Sequence, residues 1–115
     1  KLRLLGAVGV PTAVDQMAAG EIPPALTLGQ NYPNPFNPTT WIPFYLPEAG
    51  SIDIRVYDVT GRMVKSLEKG FFTSGRHNTR WDGINSDGSP VASGIYFCVI
   101  SQGGATESRK MVLLR

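Results

Sequence analysis

The sequence predicts an all-β fold, an antiparallel sandwich of seven short strands. Three observations carry this expectation. From Leu26 onward, several runs alternate apolar and polar residues with a period of two, as half-buried strands require. Turn formers separate these runs at the spacing of a sandwich. No segment sustains an apolar period of 3.6 residues, the mark of an amphipathic helix. The 115 residues, 42% of them apolar, suit one domain with a modest core. Gly 13 and Pro 9 fit short elements joined by turns.

The first strand is read in "LTLGQ" (26–30). After it comes "NYPNPFNP" (31–38), with Tyr32 and Phe36 set among asparagines and prolines. Proline fixes φ, restricts the residue before it and removes a ladder donor, so this stretch is not a central strand. It reads as a stiff lead-in that sets the register of the next strand, with Tyr32 and Phe36 as pegs into the sandwich. "WIPFYL" (41–46) alternates, Ile42, Phe44 and Leu46 on one face and Trp41, Pro43 and Tyr45 on the other. Pro43 places this strand at an edge or at a bulge.

"SIDIRVYD" (51–58) turns Ile52, Ile54 and Val56 inward, and "VTGR" follows as a turn with Gly61 available for positive φ. "MVKSLEKG" (63–70) is a short strand. "GRHNTRWDG" (75–83) is another, with His77, Thr79 and Trp81 on one face. Asp87-Gly88 in "NSDGSP" is a hairpin signal. "GIYFCVI" (94–100) is the most β-prone run, "QGG" turns, and "ESRKMVLLR" (107–115) is the final strand.

Three regions follow: residues 1–10 as an extension strand or the tail of an upstream domain, 11–25 as a linker, and 26–115 as the domain. "KLRLLGAVGV" has strand length, and its Leu2, Leu4, Leu5, Val8 and Val10 are apolar, but no hairpin partner follows. Pro11, Gly20, Pro23 and Pro24 mark the linker. An apolar strand without a partner is suited to adding to the edge of another sheet. Its apolar run is too short and interrupted for a secretory signal. The chain reads as the C-terminal piece of something longer, or as a processed product.

Composition narrows the function. The formal net charge is +2 and the basic residues are scattered, which argues against a nucleic-acid partner. No apolar run approaches the roughly 18 residues of a membrane-spanning helix. The single cysteine, Cys98, lies in an apolar run and reads as a small buried hydrophobe. One histidine and one cysteine do not build a closed zinc site without carboxylates, and Ser93 lacks the Gly-x-Ser-x-Gly elbow. No enzyme and no cofactor are expected.

Smaller signals remain. His77 and Trp81 read as a packed aromatic cluster with a satisfied imidazole. "WDGINSDG" fails as an EF-hand loop, because Gly83 falls at the first ligand position and Gly94 at the twelfth. Asp82, Asn85 and Asp87 remain a weak calcium candidate, against Asx-turn hydrogen bonding as the ordinary role. Asn37-Pro38-Thr39 is not a glycosylation site, because proline follows the asparagine. Trp41 and Tyr45 share the outward face of one strand. They are either covered by a loop or left as an interaction or sugar-stacking patch.

Taken together, "LGQNYPNPFNPTT", "IPFYLPEAG", "IRVYDVTGRMVKSL", "GRHNTRWDG", "DGSPVASGIYF" and "KMVLLR" resemble the type A C-terminal sorting domain of the type IX secretion system. They are also similar to the Ig-like domain of flagellar hook-capping proteins. The resemblance covers residues 26–115, with six motifs in order. It implies a seven-stranded Ig-like sandwich that is not catalytic. It further implies a domain that directs a cargo protein through that secretion system, by way of the periplasm, to the cell surface or the medium, often with cleavage in the linker ahead of it. It assigns recognition by the secretion machinery to Lys110, Met111, Val112, Leu113 and Leu114. Gly61-Arg62 and the run Ser93-Gly94-Ile95-Tyr96 match internal motifs of a structural kind. Trp41 and Pro43 depart from the family's usual aliphatic or polar residues.

The residues themselves support the terminal strand as the signal. It is apolar, flanked by Arg109, Lys110 and Arg115, and suited to being read by strand addition plus charge. The competing expectation is a structural subunit. In it, residues 1–10 pair with the next copy and build a homopolymeric fibre, with Trp41 and Tyr45 at the contact. A carbohydrate-binding module is a third reading, resting on that aromatic pair alone.

Overall fold

A computed structural model describes residues 25–115. The expected extension strand 1–10, with Leu2, Leu4, Leu5, Val8 and Val10, lies outside the described residues, as does nearly all of the linker. The described residues form seven strands and no helix, so none is long and apolar enough to cross a membrane. The strands are β1 (Thr27–Leu28), β2 (Thr40–Leu46), β3 (Gly50–Tyr57), β4 (Met63–Phe72), β5 (Gly75–Trp81), β6 (Gly94–Gln102) and β7 (Ala105–Leu113). One sheet has the order β1-β2-β5 and the other β4-β3-β6-β7, with every pairing antiparallel. This is the Ig-like sandwich that the resemblance implies.

Period-two alternation builds the core between the sheets. Ile42, Phe44 and Leu46 face Ile52, Ile54 and Val56, joined by Tyr96, Cys98, Ile100, Met111 and Leu113. Two aromatic groups fill its ends. Trp81 meets Phe36 at 5.6 Å and Tyr96 at 5.2 Å between ring centroids, and His77 stacks on Phe44 at 5.3 Å beside Phe72. The Trp81 indole donates to the Ile84 carbonyl and the Tyr96 hydroxyl to that of Ala92, so neither polar tip is stranded.

Three expectations need correction. β1 is two residues long, not five, because the regular ladder with β2 covers only Thr27 and Leu28 and ends on the bond from the Gly29 N–H to Pro43. β2 is the middle strand of its sheet, and its register with β5 runs unbroken from Thr40↔Trp81 to Leu46↔Gly75, so Pro43 is neither at an edge nor at a bulge. In an antiparallel ladder the nitrogen and oxygen of one residue face the same neighbour. The Pro43 carbonyl accepts from the Gly29 N–H at 2.7 Å, so its nitrogen faces the β1 side, just past the end of that short ladder. The missing donor therefore costs β5 nothing. Third, only one of the two expected pegs is a peg: Phe36 is buried at 2% exposure, whereas Tyr32 is exposed.

"NYPNPFNP" is a narrow excursion between the sheets. At its neck Tyr32 and Trp41 exchange both backbone hydrogen bonds at 2.9 Å. Beneath the neck lie two buried polar side chains, Asn31 and Thr40. Asn31 Nδ2 donates to Thr40 Oγ1 at 3.0 Å, and both side chains donate to the Pro33 carbonyl. The three X-Pro bonds of the segment are cis. Its tip carries Asn34 and Phe36 from the edge of the three-stranded sheet to β7 of the four-stranded sheet.

Candidate functional site

β7 is an edge strand, with β6 on one side only. Its register with β6 pairs Gly94↔Leu113, Tyr96↔Met111 and Cys98↔Arg109. In such a strand alternate residues turn their backbone groups outward, where an incoming strand would bind. In β7 that edge is already occupied from Lys110 to Leu114. The Val112 N–H donates to Asn34 Oδ1 at 3.0 Å, and the Val112 carbonyl accepts from the Phe36 N–H at 3.0 Å. The Leu114 N–H donates to the Phe36 carbonyl at 3.0 Å, and the Lys110 carbonyl accepts from Gln30 Nε2 at 3.0 Å. The Phe36↔Leu113 bridge is parallel, so residues 34–36 run along β7 as a short added strand. Strand addition over this stretch would first have to displace a segment whose Phe36 ring is seated against Trp81.

The five residues of the candidate signal divide by face. Met111 and Leu113 are at 0% exposure and belong to the core. Lys110 and Leu114 are exposed and Val112 is half-buried. The flanking arginines are turned to the body of the domain. Arg109 Nε donates to the Leu28 carbonyl at 2.9 Å across the sandwich. Arg115 donates from Nε to the Val91 carbonyl at 2.6 Å and from Nη2 to the Gly83 carbonyl at 2.5 Å. Its backbone N–H donates to Ser93 Oγ at 2.8 Å. Gly83 has φ +73 and leaves no room for a side chain, because a Cβ there would stand 2.9 Å from Arg115 Nη2 and 3.1 Å from the Pro38 carbonyl.

The other candidates lie elsewhere. Trp41 and Tyr45 are on the outer face of the three-stranded sheet, opposite Arg80 and Arg76 in register. Trp41 is exposed, with the Arg80 guanidinium 5.9 Å from its ring centroid, and Tyr45 is half-buried. Asn85 Oδ1 accepts the backbone N–H groups of Asp87 and Ser89, at 2.9 and 3.0 Å, as an Asx turn does. Asp82 lies 3.1 Å from Arg80 Nε as an ion pair. Among the described residues no group of three His, Cys, Asp or Glu side chains is placed to hold a metal ion. His77 Nε2 is 2.8 Å from the Thr73 carbonyl, a satisfied imidazole in its aromatic cluster. Burial pushes the Cys98 thiol up to about 12, so it is not a nucleophile near neutral pH.

Gln30, Asn34, Phe36, Gly83, Val91 and Ser93 hold the terminal strand, and the sequence alone does not single them out for that task. They act on partners far away in sequence, through bonds that each use a main-chain group on at least one side. The only local signal is Gly83, two residues after the buried Trp81, where a glycine marks a close approach.

The family model for secretion system C-terminal sorting domains matches residues 30–114. Among solved structures, dimeric latent PorU from Porphyromonas gingivalis is 22% identical with a TM-score of 0.59, covering 83% of this chain and 10% of that one. FlgD from Xanthomonas campestris, whose structure is described in terms of hook capping essential for flagellar assembly, is 21% identical with a TM-score of 0.54, covering 76% of this chain and 64% of that one. FlgD from P. aeruginosa is 26% identical with a TM-score of 0.50, covering 64% and 59% respectively. This chain thus spans a small part of latent PorU and less than two thirds of either FlgD. No curated protein matches the sequence.

Proposed function

The chain belongs to the secretion system C-terminal sorting domain family, and we propose that it directs a cargo protein through the type IX secretion system to the cell surface or the medium. The family is one of non-catalytic sorting signals, and membership implies a secreted or surface-located protein that meets the type IX machinery. The observation that carries the proposal is the family match over residues 30–114, which takes in the whole of β7. The sandwich supports it physically. Its core is closed on itself, so the domain adds a self-contained unit to a cargo without needing the cargo to fold. Lys110, Val112 and Leu114 are the signal residues available to the machinery, whereas Met111 and Leu113 hold the strand in place.

The test is to fuse the full chain behind a reporter and express it with a periplasmic leader in a type IX-competent host. The reporter is expected on the surface or in the medium with an intact translocon, and in the periplasm without one. A reporter that stays in the periplasm of the competent host, although folded and intact, would overturn the proposal.

A further inference from the structure

If β7 is the signal, it has three things to offer a partner: its backbone edge, its inward side chains and its outward face. The edge from Lys110 to Leu114 is bonded to Gln30, Asn34 and Phe36. The inward side chains are at 0% exposure. Two of the three flanking cations are spent on main-chain carbonyls. The outward face remains. There Val112 lies directly across from Ile95, and Lys110 from Phe97. Ile95 is 41% exposed, and Leu114, two residues beyond Val112, is 54% exposed. An apolar cluster that leaves this much surface in water marks an interaction site.

Charge states what should cover it. Lys110 makes no ion pair among the described residues. The acid on the neighbouring part of the same face, Asp53, gives both carboxylate oxygens to Arg55, at 2.9 and 2.8 Å. The patch is therefore apolar with a lone ammonium in it and no acid of its own. A complementary partner surface is apolar and presents a carboxylate to Lys110.

Resting on the sorting reading, we propose that the secretion machinery docks on this face, formed by Ile95, Phe97, Lys110, Val112 and Leu114, through an apolar protein groove that carries a carboxylate. Recognition is by face and not by strand addition. The side chains named lie on the surface, so changing them leaves the core and the covered edge in place.

The experiment uses the full chain fused to the reporter. Lys110→Glu and Ile95→Glu are each expected to cut export by on the order of tenfold or more, as charge reversal and a buried charge do at an interface. Near-UV circular dichroism and melting temperature should match the unmodified fusion. Phe71→Glu, on the far edge of the same sheet and outside the patch, is the control and should be exported normally. A photo-crosslinker placed at position 95 should capture an envelope component of the secretion system at a surface bearing Asp or Glu. Normal export of both patch variants overturns the proposal, as does an equal loss from Phe71→Glu. So does crosslinking only to a second copy of this chain, or only to lipid. The unmodified fusion separates the two levels. If it is not exported, the sorting reading fails; if it is exported and the patch variants are too, only the docking face fails.

Discussion

The two edges of the four-stranded sheet face the same hazard and meet it differently. β4 lies at one edge. It bears Lys65, Glu68 and Lys69, and its register with β3 shifts twice, between Ile54 and Arg55 and between Val56 and Tyr57. Bulges and charge make such an edge a poor template for another strand. β7 lies at the other edge. It pairs with β6 without a shift and ends in an apolar run, and residues 34–36 cover it. The comparison teaches that protection follows regularity. An edge with an irregular register and charges along it is spoiled as a template, and an edge that stays regular is covered by another part of the chain.

The sharpest way to break this comparison is Phe36→Ala. The ring is almost fully buried against Trp81, so its loss should cost about 3–5 kcal/mol in denaturant unfolding. The Val112 and Leu114 amides should then exchange with solvent much faster. Phe71→Ala, at a side chain 69% exposed on β4, should change stability by less than about 0.5 kcal/mol. A similar loss from both would mean that the covering segment contributes nothing to its edge. Arg115→Ala removes two donor bonds from one guanidinium and should cost about 1–3 kcal/mol, read as a lower unfolding midpoint. Asn34→Ala removes only the side-chain acceptor of the Val112 N–H and should cost about 0.5–1.5 kcal/mol, with faster exchange confined to Val112.

The smallest effect lies on the β4 side. Asp58 accepts from the Thr60 hydroxyl and from the N–H groups of Thr60 and Arg62, in the turn from β3 to β4. The Thr60 hydroxyl, more than any other group, holds its carboxyl below the ordinary value of 3.8. A depressed carboxylate stabilises the fold fully above the ordinary value and loses that contribution as pH falls through the depressed one. Thr60→Ala should move the Asp58 titration upward by nuclear magnetic resonance, and β7 amide exchange should not change.

Much of the sandwich was legible because each strand writes its burial into its own alternation. Ile52, Ile54 and Val56 needed no partner to be placed inward, and neither did Phe44 or Trp81. Pro43 was misplaced because the side to which its nitrogen points depends on which neighbour ends first, a fact of the sheet and not of the strand. Tyr32 and Phe36 looked alike as aromatic pegs. They differ because the backbone of Tyr32 is paired with that of Trp41, which leaves its ring outside, whereas Phe36 pairs with residues 112 and 114 above the Trp81 ring. The site was half legible. The apolar terminal run pointed to β7, but the occupied edge could not be read, because its bonds join main-chain groups of β7 to main-chain and amide groups almost eighty positions away. The arginines looked like surface charge for the same reason: their acceptors are carbonyls, which every residue has.

The cover of β7 ties the order of synthesis to the finished fold. Phe36 and Asn34 leave the ribosome well before Val112 and Leu114, the residues they bond. Contacts so distant in sequence form late and together. Until β7 arrives, Phe36 has no backbone partner and the edge of β6 is bare. A chain cut short before Met111 would leave Phe36 without its backbone partners and bare the edge of β6 from Gly94 to Tyr96. In this architecture a fully covered edge is a mark of a fully made domain.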